Sequence, residues 1–146
     1  MTQENKELLF KDLCARLPYG VKCEIIRWSP DGETVYVKRN NSAVKLTLDN
    51  FNYIMSDDFH EVKPYLFPLS SMTRAQREEF VKFADYEPRL EDCGRHQELY
   101  YYDLVGHENN LYPNSDAIDW LDKNHFDYRG LIPKDLAIDA TNLNIY

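Results

Sequence analysis

Between Val21 and Leu48, apolar and polar residues alternate in three short runs separated by two turn-forming clusters. This pattern constrains the fold more than any other part of the chain. Val21, Cys23 and Ile25 alternate with Lys22 and Glu24, as in a strand with one buried face. Ser29, Pro30, Asp31 and Gly32 then supply a preset dihedral, a local hydrogen-bond acceptor and a residue at ease with left-handed backbone, which together predict a turn. Val35 and Val37 form a second run, Arg39 to Ser42 a second turn, and Val44, Leu46 and Leu48 a third run. Short connections between such runs favour antiparallel pairing. The expectation is a three-stranded meander.

Helices flank this segment. Thr2 can cap a helix reaching about Arg16, with Leu9, Leu13, Cys14 and Leu17 on one side and Glu4, Lys11 and Asp12 on the other. Laid across one face of the meander, it would cover the apolar side. Thr73 and Gln76 form a capping box ahead of Phe80, Phe83 and Ala84 on one helical face. Gln97 to Val105 predicts a further strand containing Tyr100, Tyr101 and Tyr102, whereas 85–96 reads as a loop and 137–146 as a tail. The fold class expected is α+β: a single domain over 1–146, with a mostly antiparallel sheet of three to five strands, an N-terminal helix and at least two further helices.

The densest chemistry lies in Ser115 to Ile132. Ser115 opens a helix with Asp116 and Asp119 at its positive end. Ala117, Ile118, Trp120 and Leu121, extended by His125, form its apolar stripe, Asp119, Asp122 and Lys123 face water, and Asn124 ends it in left-handed geometry. Beyond it stand His125, Asp127, Tyr128 and Arg129. As a catalytic site, His125 would transfer protons, Asp127 would orient it and Arg129 would grip an anion. As a packed helix end, His125 would cap carbonyls, Arg129 would pair with a carboxylate and Tyr128 would anchor the corner through its hydroxyl.

Other clusters carry weaker signals. Lys38, Arg39 and Lys45 form a local basic group that fits solvated edge charges better than an anion site. Asp57, Asp58, His60 and Glu61 lack the alternate-oxygen spacing of a calcium loop. Cys93, beside Gly94 and Arg95 and near His96, compares weakly with an activated thiol or with half a zinc site that lacks familiar further donors. No nucleotide, metal or nucleophile signature stands at a diagnostic spacing, so no cofactor and no metal is expected.

Charge narrows the function classes. Residues 1–84 carry 12 Lys plus Arg against 12 Asp plus Glu, and residues 85–146 carry 5 against 13, so the whole net charge of -8 falls in the second segment. That segment also holds seven of the eleven tyrosines. A phosphate backbone would be repelled there and a basic protein attracted, so direct nucleic-acid binding is not expected. The expected function is non-enzymatic protein binding through Tyr100, Tyr101, Tyr102, Asp116, Asp119 and Asp122, with nucleic-acid mimicry as its sharper form. Homo-oligomerisation through the tyrosine strand is a further reading. The alternative is a small hydrolase or ligand-binding domain centred on His125, Asp127 and Arg129. No apolar run approaches the ~20 residues of a membrane helix. The start MTQENKELLF lacks a secretory pattern, and three scattered cysteines fit reduced thiols, so a cytosolic location is expected.

The blocks LCARLPYGVK, PYLFPLSSMT and AIDWLDKNHFDYRGLIPKDLAID cover roughly a third of the chain. In them the chain resembles a group of small uncharacterised proteins of gut Bacteroides-type bacteria and their prophages. The resemblance implies a setting, the bacterial cytosol and a possible mobile element, and no activity or cofactor.

Overall fold

The Thr2 hydroxyl accepts the Asn5 amide at 3.2 Å and so starts helix α1 (Gln3–Arg16). In this computed structural model the described residues are 1–28, 35–37, 43–55, 60–84, 87–93, 96–102, 108–109 and 115–146. Leu9, Asp12, Leu13 and Arg16 share the buried face of α1, and Cys14 is exposed. Two expectations are thereby reversed: Asp12 belongs to the covered side and Cys14 to the open one. Positions 9, 12, 13 and 16 follow the helical repeat, so Asp12 and Arg16 lie on the stripe marked by Leu9 and Leu13. A 3-10 turn at Leu17–Tyr19 ends the helix, and Gly20 takes the left-handed backbone (φ 68°) that leads into the sheet.

Strand β1 (Lys22–Trp28) pairs antiparallel with β2 (Val35–Val37), β3 (Val44–Lys45) and β4 (His60–Leu66). Since β4 runs continuously along one side of β1, β2 and β3 share its other side. The predicted strands are antiparallel, but their order differs: β1 is central, and β2 and β3 are consecutive pieces of one edge. The third run also stops early. Leu48 begins α2 (Leu48–Met55), whose first turn is closed by the Phe51 amide on the Thr47 carbonyl at 2.9 Å. Phe51 is buried and meets the Phe10 ring at 5.6 Å, a contact that a strand continuing past Leu46 would forgo.

Pro64 and Pro68 bracket Tyr65, Leu66 and Phe67, of which Leu66 is buried. Pro64 lies opposite Cys23 within β4, and beyond the strand Phe67 bridges to Phe126. Ile138 and Asp139 form β8, parallel to β4, so 137–146 is an integrated segment and not a loose tail. Among the described residues the result is a mixed, mostly antiparallel five-stranded sheet. A second sheet consists of β5 (Glu87–Cys93), β6 (His96–Tyr102) and β7 (Glu108–Asn109), all antiparallel. The stretch expected as a loop is thus largely strand: β6 supplies pairing partners to a polar, proline-containing segment that has little strand propensity of its own.

Helix α3 (Arg74–Ala84) starts at the predicted capping box. The Gln76 main-chain amide donates to the Thr73 hydroxyl at 3.2 Å, and the Gln76 side-chain Oε1 accepts the Thr73 main-chain amide at 2.9 Å. Thr73→Ala should therefore cost about 1 kcal/mol in a urea-denaturation measurement. Phe80 from α3 packs with Ala117, Trp120 and Leu121 of α4 (Ser115–Lys123), together with Leu69, Met72 and Phe126. A separate apolar group joins α1, the large sheet and Leu131, Leu136 and Ala137. The architecture is a single α+β domain, and no helix among the described residues is long and apolar enough to cross a membrane.

Candidate functional site

Charged side chains fill the junction where α1 of the first apolar group meets α4 of the second. Asp12 and Arg16 are fully buried, one helical turn apart, with Arg16 Nε donating to Asp12 Oδ2 at 2.9 Å. Arg129 enters from the turn after α4 and donates through Nη1 to Asp12 Oδ1 at 2.8 Å and Asp122 Oδ1 at 3.1 Å. Arg16 Nη2 lies 3.5 Å from Asp122 Oδ1, so two carboxylates and two guanidiniums form a closed, electrically balanced set. Arg16 also ends α4: its Nη2 donates to the Phe126 carbonyl at 2.7 Å, and Nη1 reaches the Leu121 and Asp122 carbonyls at 3.4 and 3.5 Å. A cation is electrostatically favoured at that helix end.

Asp122 was expected in water beside Asp116 and Asp119. It is only 2% exposed, whereas Asp116 and Asp119 are exposed. Tertiary contacts explain the division: Asp122 sits at the end of the helix, where Arg16 of α1 and the Arg129 and Tyr128 side chains close over it. Burial raises the Asp122 carboxyl above its usual range, with the charges of Arg16 and Arg129 pulling the other way. Burial opposes the charge of Arg129, but Asp12, Tyr128 and Asp122 outweigh it and raise its pKa. The Tyr128 hydroxyl donates to Asp122 Oδ2 at 3.2 Å, and its ring lies under the Arg129 guanidinium at 4.3 Å. Burial pushes this phenol well up, so it remains protonated.

The three residues of the proposed catalytic group have separate duties. Both oxygens of Asp127 accept main-chain amides, Oδ1 from Leu131 and Oδ2 from Ile132, each at 2.8 Å. They thereby close a turn through Gly130, whose φ is 71°. Burial raises the Asp127 carboxyl, and the Ile132 and Leu131 amides partly offset that rise. Asp127 therefore holds the backbone and leaves His125 unoriented. Arg129 is spanned between Asp12 and Asp122, which matches the packed-helix-end reading.

His125 does something neither reading anticipated. It is itself the left-handed residue after α4 (φ 59°), a role assigned in advance to Asn124. Asn124 instead returns its side-chain amide to the Trp120 carbonyl at 2.9 Å. The imidazole is 7% exposed and stacks on Tyr146, centroids 4.1 Å apart and planes 17° apart. Its Nδ1 has no hydrogen-bond partner among the described residues. Burial, with Arg16 nearby, lowers its pKa to about 4, so the ring is neutral at pH 7.

The remaining candidates are dispersed. Tyr100, Tyr101 and Tyr102 lie in β6 opposite Arg89, Pro88 and Glu87, and Cys93 pairs with His96 across the same hairpin. His60 and Glu61 belong to β4, and Lys45 to β3, whereas Lys38, Arg39, Asp57 and Asp58 lie outside the described residues. Among the described residues no group of three His, Cys, Asp or Glu side chains could hold a metal ion. Cys23 is buried and its thiol is pushed up to about 12 by burial and the charge of Asp12, which removes its nucleophilic character at neutral pH.

Sequence reasoning missed Asp12, Arg16 and Tyr146. The first two had a legible signal: an acid and a base four residues apart on the stripe of Leu9 and Leu13, where only paired charges persist. Tyr146 had none, because its partners His125, Tyr65 and Lys22 come from three distant parts of the chain. Comparison with known proteins returns no match: no family model, no curated protein and no solved structure matches this chain.

Proposed function

We propose that the chain is a non-enzymatic protein-binding module of the bacterial cytosol, and that it engages a basic protein through its acidic, tyrosine-rich second half. The observation that carries this reading is the division of labour on α4. Asp122 is drawn into the buried charge set, and Asp116 and Asp119 remain exposed near the start of the helix. Tyr100, Tyr101 and Tyr102 add an aromatic strand of a kind enriched at interfaces, carried by the same acidic segment. Long-range attraction would speed encounter with a basic surface and weaken as salt rises. In its sharper form the acids stand in for nucleic-acid phosphates on a DNA-binding protein.

The test is capture of partners from a bacterial lysate at low and moderate salt, with wild type compared against Asp116→Asn/Asp119→Asn. Asp122 is left intact because its removal would disturb the core. Retention of a basic protein should fall about ten-fold in the double variant and also on raising the salt. Equal retention by both chains would sink the acidic-interface reading.

A hydrolytic or ligand-binding site at His125, Asp127 and Arg129 is the second reading. The partnerless Nδ1 of His125 favours it. Against it, both Asp127 oxygens already accept turn amides, and Arg129 Nη1 is held between Asp12 and Asp122.

A further inference from the structure

We propose that residues 138–146 form an acid-sensitive strap, closed over β1 and β4 while the His125 ring is neutral and released locally when that ring takes up a proton. The strap is held at its two ends. At one, Ile138 and Asp139 lie parallel to Tyr65 and Leu66, and the Ala140 amide donates to the Leu66 carbonyl at 2.8 Å. At the other, the Tyr146 hydroxyl donates to the Tyr65 carbonyl at 2.8 Å and accepts the Lys22 amide at 3.1 Å. Lys22 Nζ also donates to the Ile145 carbonyl. Between these ends Thr141 to Asn144 are exposed.

The Tyr146 ring is the keystone of the second end. It lies 4.1 Å from the imidazole of His125 and 5.8 Å from the Phe67 ring. A neutral imidazole suits this place: it stacks flat and carries no charge to hydrate. An imidazolium does not, since it would be a buried cation without a hydrogen bond at Nδ1. The groups around it do not compensate. Arg16 of α1 and Lys22 of β1 both oppose a positive charge, and Asp12, the acid that favours one, is already bound by Arg16 and Arg129. Within its own turn, Asp122 is held by Arg129 and Tyr128, and Asp127 by main-chain amides. Attraction between an imidazolium and the Tyr146 face opposes release, but it leaves the charge dehydrated. Unstacking Tyr146 admits water to the ring and frees the far end of the strap.

The size of the effect follows from proton linkage. A released His125 has the ordinary value near 6.5, and the closed form about 4. Opening should therefore become about 20-fold more favourable between pH 7 and pH 5. Amide hydrogen exchange on the full chain, corrected for intrinsic rates, reads this directly. The Lys22 and Ala140 amides should gain about 20-fold in opening while those of α3 do not. Tyr146→Phe keeps the stack and loses the hydroxyl bonds: the Lys22 amide loses its acceptor, and the Ala140 amide should exchange faster at both pH values with its ratio preserved. His125→Phe should bring the ratio close to one. If Phe at this left-handed position prevents folding, His125→Asn, which tolerates that backbone, should give the same ratio. The proposal is overturned by a ratio near one in wild type, by an equal rise in α3, or by a folded His125 variant that retains the wild-type ratio.

Discussion

Arg16→Ala should lower the unfolding free energy by about 3–5 kcal/mol in urea at pH 7, the range found when one partner of a buried ion pair is deleted. Arg16 is fully buried and serves Asp12 together with the carbonyls that end α4. Its removal leaves those carbonyls with main-chain amide donors only and Asp12 with Arg129 alone. Arg16→Lys should not rescue the loss, because one ammonium cannot reproduce the planar fork that meets Asp12 on one side and Phe126 O on the other. Arg74→Ala is the control. Arg74 pairs with Glu78 on an exposed face, and its loss should fall within the error of the measurement. If the four charges act as one unit, Arg16→Ala and Asp12→Ala should be non-additive by about 1–3 kcal/mol. Simple additivity would mean that they do not form a unit.

The second large effect belongs to Asp127. Asp127→Ala should cost about 2–4 kcal/mol, since two main-chain amides lose a charged acceptor and the Leu131 amide is buried. Asp127→Asn keeps one acceptor oxygen and should lose about half as much. The dependence on pH separates the two contributions of the carboxylate. Burial raises the folded-state pKa above the unfolded value near 3.8, so the folded chain holds more protons in the window between them. Stability contributed by this group therefore falls as pH rises through that window, and Asp127→Asn should remove that component. A wild-type profile whose slope in this window is unchanged in Asp127→Asn would show that the carboxyl of Asp127 does not titrate above its unfolded value.

Both predictions concern residues whose importance was unequally visible before folding. Thr2 and the Thr73–Gln76 box were legible because a helix cap is a local agreement between a side chain and amides two or three residues away. The alternation from Val21 to Ile25 announced a half-buried strand for the same reason. Leu48 was assigned to the wrong element because Val44, Leu46 and Leu48 continue the strand period, while the Thr47 carbonyl and the packing of Phe51 on Phe10 favour a helix. The strand at Glu87–Cys93 had no local signal, since its partner β6 stabilises it and its own residues do not.

At the site, the order of chemistry-bearing residues from Asp122 to Arg129 was evident in the chain, but their duties were not. What the amino-acid sequence determined by itself was short-range: caps, turns, the helical and strand periods, and the accumulation of acid and tyrosine in 85–146. What only the tertiary structure decided was which charges are buried and which rings meet. Asp12 finds Arg129 at a separation of 117 residues, and the strap places Tyr146 on His125. The physical reason is that a charge or a ring acquires its environment from neighbours in space. Folding makes Asp12, Asp122, Arg16 and Arg129 a balanced set, whereas Asp116 and Asp119, on the same helix as Asp122, remain exposed.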